Sequence, residues 1–201
     1  MAGWTTHTGL AVALPLEGVD TDQLIPARFM SAPRSAGYGG FLLHDLRRDA
    51  EGRPDPAFPL DRPEATGASV LVARRNFGAG SSREAAVYAL VDAGFRVVVA
   101  PSFGDIFASN AVNNGLLPAR VAEDAAEHLL AAAPVTVRVD LAAGRIEGPF
   151  GAIAFDLDPV WRTKLENGWD DIDLTAAHGD SIAAYAARRR AAAPWLWPAG
   201  D

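Results

Sequence analysis

An α/β fold, with a buried parallel strand–helix–strand core and a following hairpin, is the architecture this sequence predicts, and three observations carry the prediction. Two short, continuous apolar runs rich in valine, at 69–73 and 96–100, read as strands buried on both faces. Between them, residues 84–93 place Val87, Leu90 and Val91 at helical spacing, and Gly94 ends the helix. The helix packs back on the sheet only through a right-handed crossover, which makes the two strands parallel neighbours. Finally, residues 135–139 alternate apolar and polar and run into a turn-like 141–145, so 135–139 and 145–147 form a hairpin.

The other elements take their places around this core. The apolar stretch 10–16 reads as a strand, with Asp20-Thr21-Asp22 in a turn before Leu24 and Ile25. The stretch 31–67 is rich in Pro and Gly with charged residues mixed in, so a long mobile loop is expected at about 30–66. Residues 103–112 set Phe103, Ile106 and Phe107 on one helical face, stopped by Asn113-Asn114-Gly115 before a short strand at 116–119. A helix over 123–132, a strand at 152–155 and helices near 159–166 and 182–189 complete the chain. Residues 1–190 therefore read as a single domain. Residues 191–201, with Trp195 and Trp197 between prolines, read as a C-terminal tail, an unstructured end or an interaction segment.

Composition narrows the function. The 201-residue chain is 49% hydrophobic and 21% charged, far from the composition of disordered chains. Its net charge of −7 repels a phosphate backbone, so no nucleic-acid partner is expected. No apolar run approaches the roughly 20 residues of a membrane span, and the start lacks the basic-then-apolar form of a signal peptide. A cytoplasmic protein with no membrane partner is the expectation. There are no cysteines, so the chain offers neither a thiol nucleophile nor thiolate ligands for a metal cofactor. The four histidines lack metal-ligand spacing, and no metal is assigned to the chain.

The stretch Asn76-Phe77-Gly78-Ala79-Gly80-Ser81-Ser82-Arg83-Glu84 lies between a buried strand and a helix, where α/β sheets bind ligands. Glycines let backbone approach a bound group, and free N–H groups at a helix start favour an anion. Arg83 offers a planar fork suited to a carboxylate, and Ser81 or Ser82 a hydroxyl able to move a proton. The same residues also fit a capping box, Ser81 capping the helix and Glu84 reaching back, and by pattern alone that reading is favoured. Neither the dinucleotide fingerprint nor the nucleophile elbow of serine hydrolases is present. Near the start, Asp20-Thr21-Asp22-Gln23 by itself reads as an Asx-type turn entering a helix, with Arg28 on a solvated face.

Taken in order, Asp20-Thr21-Asp22-Gln23-Leu24-Ile25-Pro26-Ala27-Arg28-Phe29, Asn76 through Glu84, Ala100-Pro101-Ser102-Phe103-Gly104-Asp105-Ile106-Phe107 and Asn113-Asn114-Gly115-Leu116-Leu117-Pro118 strongly resemble the small subunits of 3-isopropylmalate dehydratases, in the aconitase superfamily. The likeness runs from about His7 through Tyr185. It implies a swivelling β/β/α three-layer domain in a heterodimer with a large subunit, which carries a [4Fe–4S] cluster on its own cysteines; no cofactor belongs to this chain. The implied reaction is a hydro-lyase isomerisation of 2-isopropylmalate to 3-isopropylmalate, by dehydration and rehydration, in leucine biosynthesis. In it an open iron acts as Lewis acid on the leaving hydroxyl and a base removes a carbon-bound proton. By position Ser81 resembles that base and Arg83 the clamp on the dicarboxylate substrate. Ser82 and the backbone around Gly80 supply further anion donors, and Asp22 matches an acidic residue brought near the site. Two positions depart from the family: Ala79 stands where Cys is usual and Ala85 where His is usual. A dehydratase subunit for another 2-alkylmalate, or a non-catalytic carboxylate-binding module of the same fold, remain the alternatives.

Overall fold

The computed structural model describes residues 2–49 and 51–197. In chain order the elements are β1 (Thr6–Leu14), α1 (Thr21–Leu24), α2 (His44–Arg47), β2 (Ala68–Ala73), α3 (Glu84–Asp92), β3 (Val97–Ala100), α4 (Asp105–Asn113), β4 (Leu117–Arg120), α5 (Glu123–Ala132), β5 (Val135–Asp140), β6 (Arg145–Gly148), β7 (Gly151–Ala154), α6 (Pro159–Asn167), α7 (Asp171–Ala176) and α8 (Gly179–Ala192). Short 3-10 turns fill much of the stretch from Ala27 to Ala65. Residues 198–201 of the expected tail lie outside the described residues.

The strands form one sheet in the order β4-β3-β2-β1-β5-β6-β7. β1 to β4 pair in parallel, whereas β5 joins β1 antiparallel and continues through two antiparallel pairings. The valine-rich runs explain the centre. Alternation sends Leu71, Ala73, Val98 and Ala100 to one face, where α3 and α4 bury Val87, Leu90, Phe107 and Ala111. Val70, Val72, Val97 and Val99 face the other way, into a cluster with Leu129 of α5 and with Val137, Val139 and Ile146 of β5 and β6. The antiparallel strands therefore curl over that face and, with α5, cover it. Helices, parallel strands and antiparallel strands make three layers, the β/β/α arrangement expected.

The parallel β2–β3 pair and the β5–β6 hairpin match their expectations. Three boundaries differ. β1 begins at Thr6 and stops at Leu14, because its first half pairs with β5 while Leu16 folds back to the Leu14 carbonyl at 2.6 Å. Phe103 precedes α4, and Ile106 is 53% exposed while Phe107 is buried, so these three side chains do not share one apolar face. α8 is longer than expected, and α7 was not anticipated; its polar sequence lacks apolar periodicity. Within 30–66, Tyr38, Leu42, Leu43 and Ala65 are buried in the core beside α3, and 51–57 is exposed. Among the described residues no helix is long and apolar enough to cross a membrane.

One buried charge ties the C-terminal helices to the body. Lys164 of α6 is 2% exposed; its Nζ donates to Asp171 Oδ1 of α7 at 2.6 Å and to the side-chain oxygen of Asn113 at the end of α4. Asn113 Nδ2 also donates to Asp171, at 3.0 Å. The Lys164 ammonium, helped by Asn113, holds the Asp171 carboxyl below the ordinary carboxylate range. A buried ammonium needs such partners, and α7 is thereby fixed against α4.

Candidate active site

The two N-terminal motifs meet because the backbone of each completes the other. The turn after β1 lies beside the loop after β2: Gly78 N–H donates to the Val19 carbonyl at 2.7 Å, and Thr21 N–H donates to the Ala79 carbonyl at 2.9 Å. The Thr21 hydroxyl, on a residue 2% exposed, donates to the Ser81 carbonyl at 2.8 Å. On its other flank the loop is held by the segment after β3. Phe77 N–H donates to the Ser102 carbonyl at 3.0 Å, Gly104 N–H to the Phe77 carbonyl at 2.9 Å, and Asn76 N–H to Ser102 Oγ at 2.8 Å. Six hydrogen bonds fix the loop on both sides and satisfy the N–H groups of residues 76–78 and the carbonyls of 77, 79 and 81.

Packing forces glycine at Gly78. Its φ is +72°, and a Cβ there would lie 2.2 Å from the ring of Phe107, itself packed edge-on to Phe77 with centroids 5.4 Å apart. Gly80, at φ +95°, has room for a Cβ but not the conformation for one. Gly78→Ala is therefore expected to destabilise by about 2–5 kcal/mol, through backbone strain plus overpacking. Gly80→Ala should cost only the strain, about 1–2 kcal/mol. Chemical denaturation of the two variants checks the order, and equal costs would refute the packing argument.

The capping-box reading of Ser81 and Glu84 is overturned. α3 starts at Glu84 with Arg83 at the cap position, and no side chain caps it. Glu84 instead accepts from Asn114 Nδ2 at 2.8 Å, which ties the Asn113-Asn114-Gly115 turn to the start of α3. The capping box is real elsewhere. Asp20 caps α1, accepting from Gln23 N–H at 2.7 Å, while Gln23 accepts from Asp20 N–H at 2.9 Å. The Asx-type turn expected before a helix is thus present, and Arg28 is exposed and paired with Asp45.

A depression of about 200 Å³ opens at this junction, lined by the backbone of 78–80, by Thr21, Ser81 and Arg83, and by Gly104 to Phe107 at the start of α4. Of the candidate residues, Ser81, Gly80 and Arg83 line it. Asp22 is joined to it through a hydrogen-bonded ion pair with Arg83, whose side chain is 18% exposed against 52% for the carboxylate. Ser82 is exposed and not part of the lining. The first turns of α3 and α4 both begin here, so two positive helix ends and one guanidinium face a shared space. The hydroxyls of Ser81 and Ser82 have no hydrogen-bond partner among the described residues, which leaves them available to a ligand. The sequence places Thr21 in a turn and Ile106 on a helical face and assigns neither to the site, since no local spacing marks either as part of it.

Among the described residues no group of three or more His, Asp or Glu is placed to hold a metal ion. With no cysteine in the chain either, its residues do not fit an iron–sulfur cluster as ligands.

A three-layer α/β domain whose glycine-serine-arginine loop is clamped between two backbone segments defines a class, the aconitase C-terminal domain, and residues 1–124 match that family. Residues 171–199 match a second family, the C-terminal domain of the 3-isopropylmalate dehydratase small subunit. The chain belongs to the family of 3-isopropylmalate dehydratase small subunits. It is 45% identical to the small subunit from Rhodospirillum centenum over 200 residues, covering 97% of this chain and 98% of that one. It is 46% identical to the one from Shewanella amazonensis, covering 94% and 97%. Among solved structures, a 3-isopropylmalate dehydratase from Methanocaldococcus jannaschii superposes with a TM-score of 0.65 at 26% identity, over 90% of this chain and 99% of that one.

Proposed function

We propose that this chain is the small subunit of a hydro-lyase that isomerises 2-isopropylmalate to 3-isopropylmalate by dehydration and rehydration in leucine biosynthesis, in the cytoplasm, active only with its large subunit. The observation that carries the reading is the convergence of Ser81, Arg83 and two helix N-termini on one depression, in a chain similar along nearly its whole length to such subunits. In this reading the large subunit carries the [4Fe–4S] cluster and takes the leaving hydroxyl.

This chain's own share is proton transfer and anchoring. Arg83 holds a substrate carboxylate with the donors that Asp22 does not occupy; a guanidinium has five N–H groups in a fixed fork. Backbone N–H groups near Gly80 and the Ser82 hydroxyl are further donors at the rim. Ser81, as the alkoxide, takes the carbon-bound proton; the electron pair of the broken C–H bond becomes the new π bond as hydroxide departs on the large subunit's side. The positive helix ends and Arg83 stabilise the alkoxide before transfer. Delivering that proton from the Ser81 hydroxyl to the carbon that lost hydroxide, while hydroxide adds from the large subunit's side to the carbon that lost the proton, gives the isomer and restores the alkoxide with atoms balanced.

The test is reconstitution. The isolated chain is expected to contain no iron and show no turnover, and to support hydration of isopropylmaleate once mixed with a cluster-loaded large subunit. Stoichiometric iron on this chain alone, or an assembled complex that leaves isopropylmaleate unchanged, would sink the reading. A complex that turns over only a different 2-alkylmaleate would replace the substrate and keep the reaction.

A further inference from the structure

We propose that the arm formed by α7, α8 and the turn to Trp197 is the element that grips the large subunit; this rests on the function proposed above for the partner's existence and adds where it binds. No residue of the 14-residue α8 is buried. Ile182, Tyr185 and Arg189 stand at i, i+3 and i+7 and so share one stripe, with Ile182 48% and Tyr185 60% exposed. The opposite stripe, Ala183, Ala187, Arg190 and Ala191, lines an open hollow with Trp197, whose ring lies 4.7 Å from the Arg190 guanidinium. Beyond the helix Trp195 is 77% and Leu196 56% exposed. One side of the arm has a neighbour in its own chain, Trp197, and the other has none among the described residues.

The root of the arm carries Asp171, Asp173 and Asp180, but the charge beyond them is out of keeping with the chain. From Ile182 to Trp197 there are three arginines, Arg188 to Arg190, and no acid, whereas the whole protein carries net −7. A bare stripe of aliphatic, Tyr, Trp and Arg side chains is the composition of an interface hot spot, and its complement is an apolar groove edged by carboxylates.

The occupant follows from which parts of the chain are shared. Residues 1–124 match a domain named as the C-terminal part of aconitase, hence a piece of a longer chain, while 171–199 match one named for a separate small subunit. A domain on a peptide linker meets its neighbour at an effective concentration on the order of mM with no dedicated contact. A separate subunit loses that tether and must replace it with binding surface, and the arm is the segment that the separate subunit has in its own right. Its root is placed for the purpose. Lys164 and Asn113 fix α7 against the end of α4, and the other end of the same helix lines the depression at Ile106, so a partner holding the arm is held in register with the site.

The test compares the full-length chain with two full-length variants, Ile182→Ser/Tyr185→Ser and Arg188→Glu/Arg189→Glu/Arg190→Glu, each titrated with the separately purified large subunit by calorimetry, with circular dichroism to confirm folding. Each variant should bind at least 100-fold more weakly, yet regain the wild-type turnover number at saturating concentration, since none of these residues lines the site. Raising ionic strength should weaken the wild type and not the charge-reversed variant. Unchanged affinity in either folded variant overturns the assignment. So does sedimentation evidence that the stripe instead joins two copies of this chain while affinity for the large subunit is unaltered. A tight, arm-dependent complex that fails to hydrate isopropylmaleate would support the arm and refute the function, which keeps the two apart.

Discussion

Ser81→Ala in the assembled enzyme is expected to lower the turnover number by roughly 10²–10⁴-fold, the usual range for removing a positioned general base, while leaving stability and KM close to wild type. The structure sharpens this test. Ser81 is exposed, its hydroxyl is not used in capping α3, and only its carbonyl is held, by Thr21. Removing the hydroxyl therefore touches nothing that supports the fold, and the change in unfolding free energy should stay within about 0.5 kcal/mol, as for other surface substitutions. Near-normal turnover in a cluster-loaded complex would show that another group takes the proton. A drop in melting temperature alongside lost turnover would instead point to a structural role that the hydrogen bonds do not reveal.

Arg83→Ala is expected to reduce kcat/KM by about 10²–10³-fold, because a charge-assisted contact made by a largely buried guanidinium contributes roughly 3–4 kcal/mol when its partner is a carboxylate. Arg83→Lys separates charge from shape. It keeps the positive charge and loses the fork, so it should recover a small part of the loss, with most of the remaining deficit in KM. Asp22 also enters here. Its carboxylate holds Arg83 in the free subunit, so Asp22→Asn should loosen the guanidinium and raise KM less than either change at Arg83. Steady-state kinetics on the three variants decide it, and equal effects of Ala and Lys at this position would mean that the fork is not what the substrate uses.

The core was legible because its residues carry strong local signals. The short apolar runs at β2 and β3, rich in valine, read as buried strands by their length and β-branched content, and the helix between them repeats its apolar residues at 3.6 spacing. Where the reading failed, distant contacts decided the outcome. Ser81 to Glu84 has the spacing of a capping box, yet Thr21 takes the backbone of one end and Asn114 the side chain of the other, and neither lies within 25 residues of the motif. The Arg83–Asp22 pair joins residues 61 positions apart. Such pairs have no local spacing to betray them. Residue resemblance named Ser81, Arg83, Asp22 and Gly80 as candidates, but only the fold shows that the arginine and the aspartate hold each other, and that Ser82 stands outside the depression.

The place of β1 in the sheet has a consequence for how the chain is made. It leaves the ribosome before either of its neighbours, β2, beginning at Ala68, and β5, ending at Asp140. At cellular synthesis rates the nascent chain therefore waits on the order of 10 s before both edges of that strand are covered. During this interval the apolar residues of its second half and its unpaired backbone are open to neighbouring nascent chains. Expression conditions that slow translation before residue 140 lengthen the exposure and are expected to lower the yield of soluble subunit, whatever the stability of the finished fold.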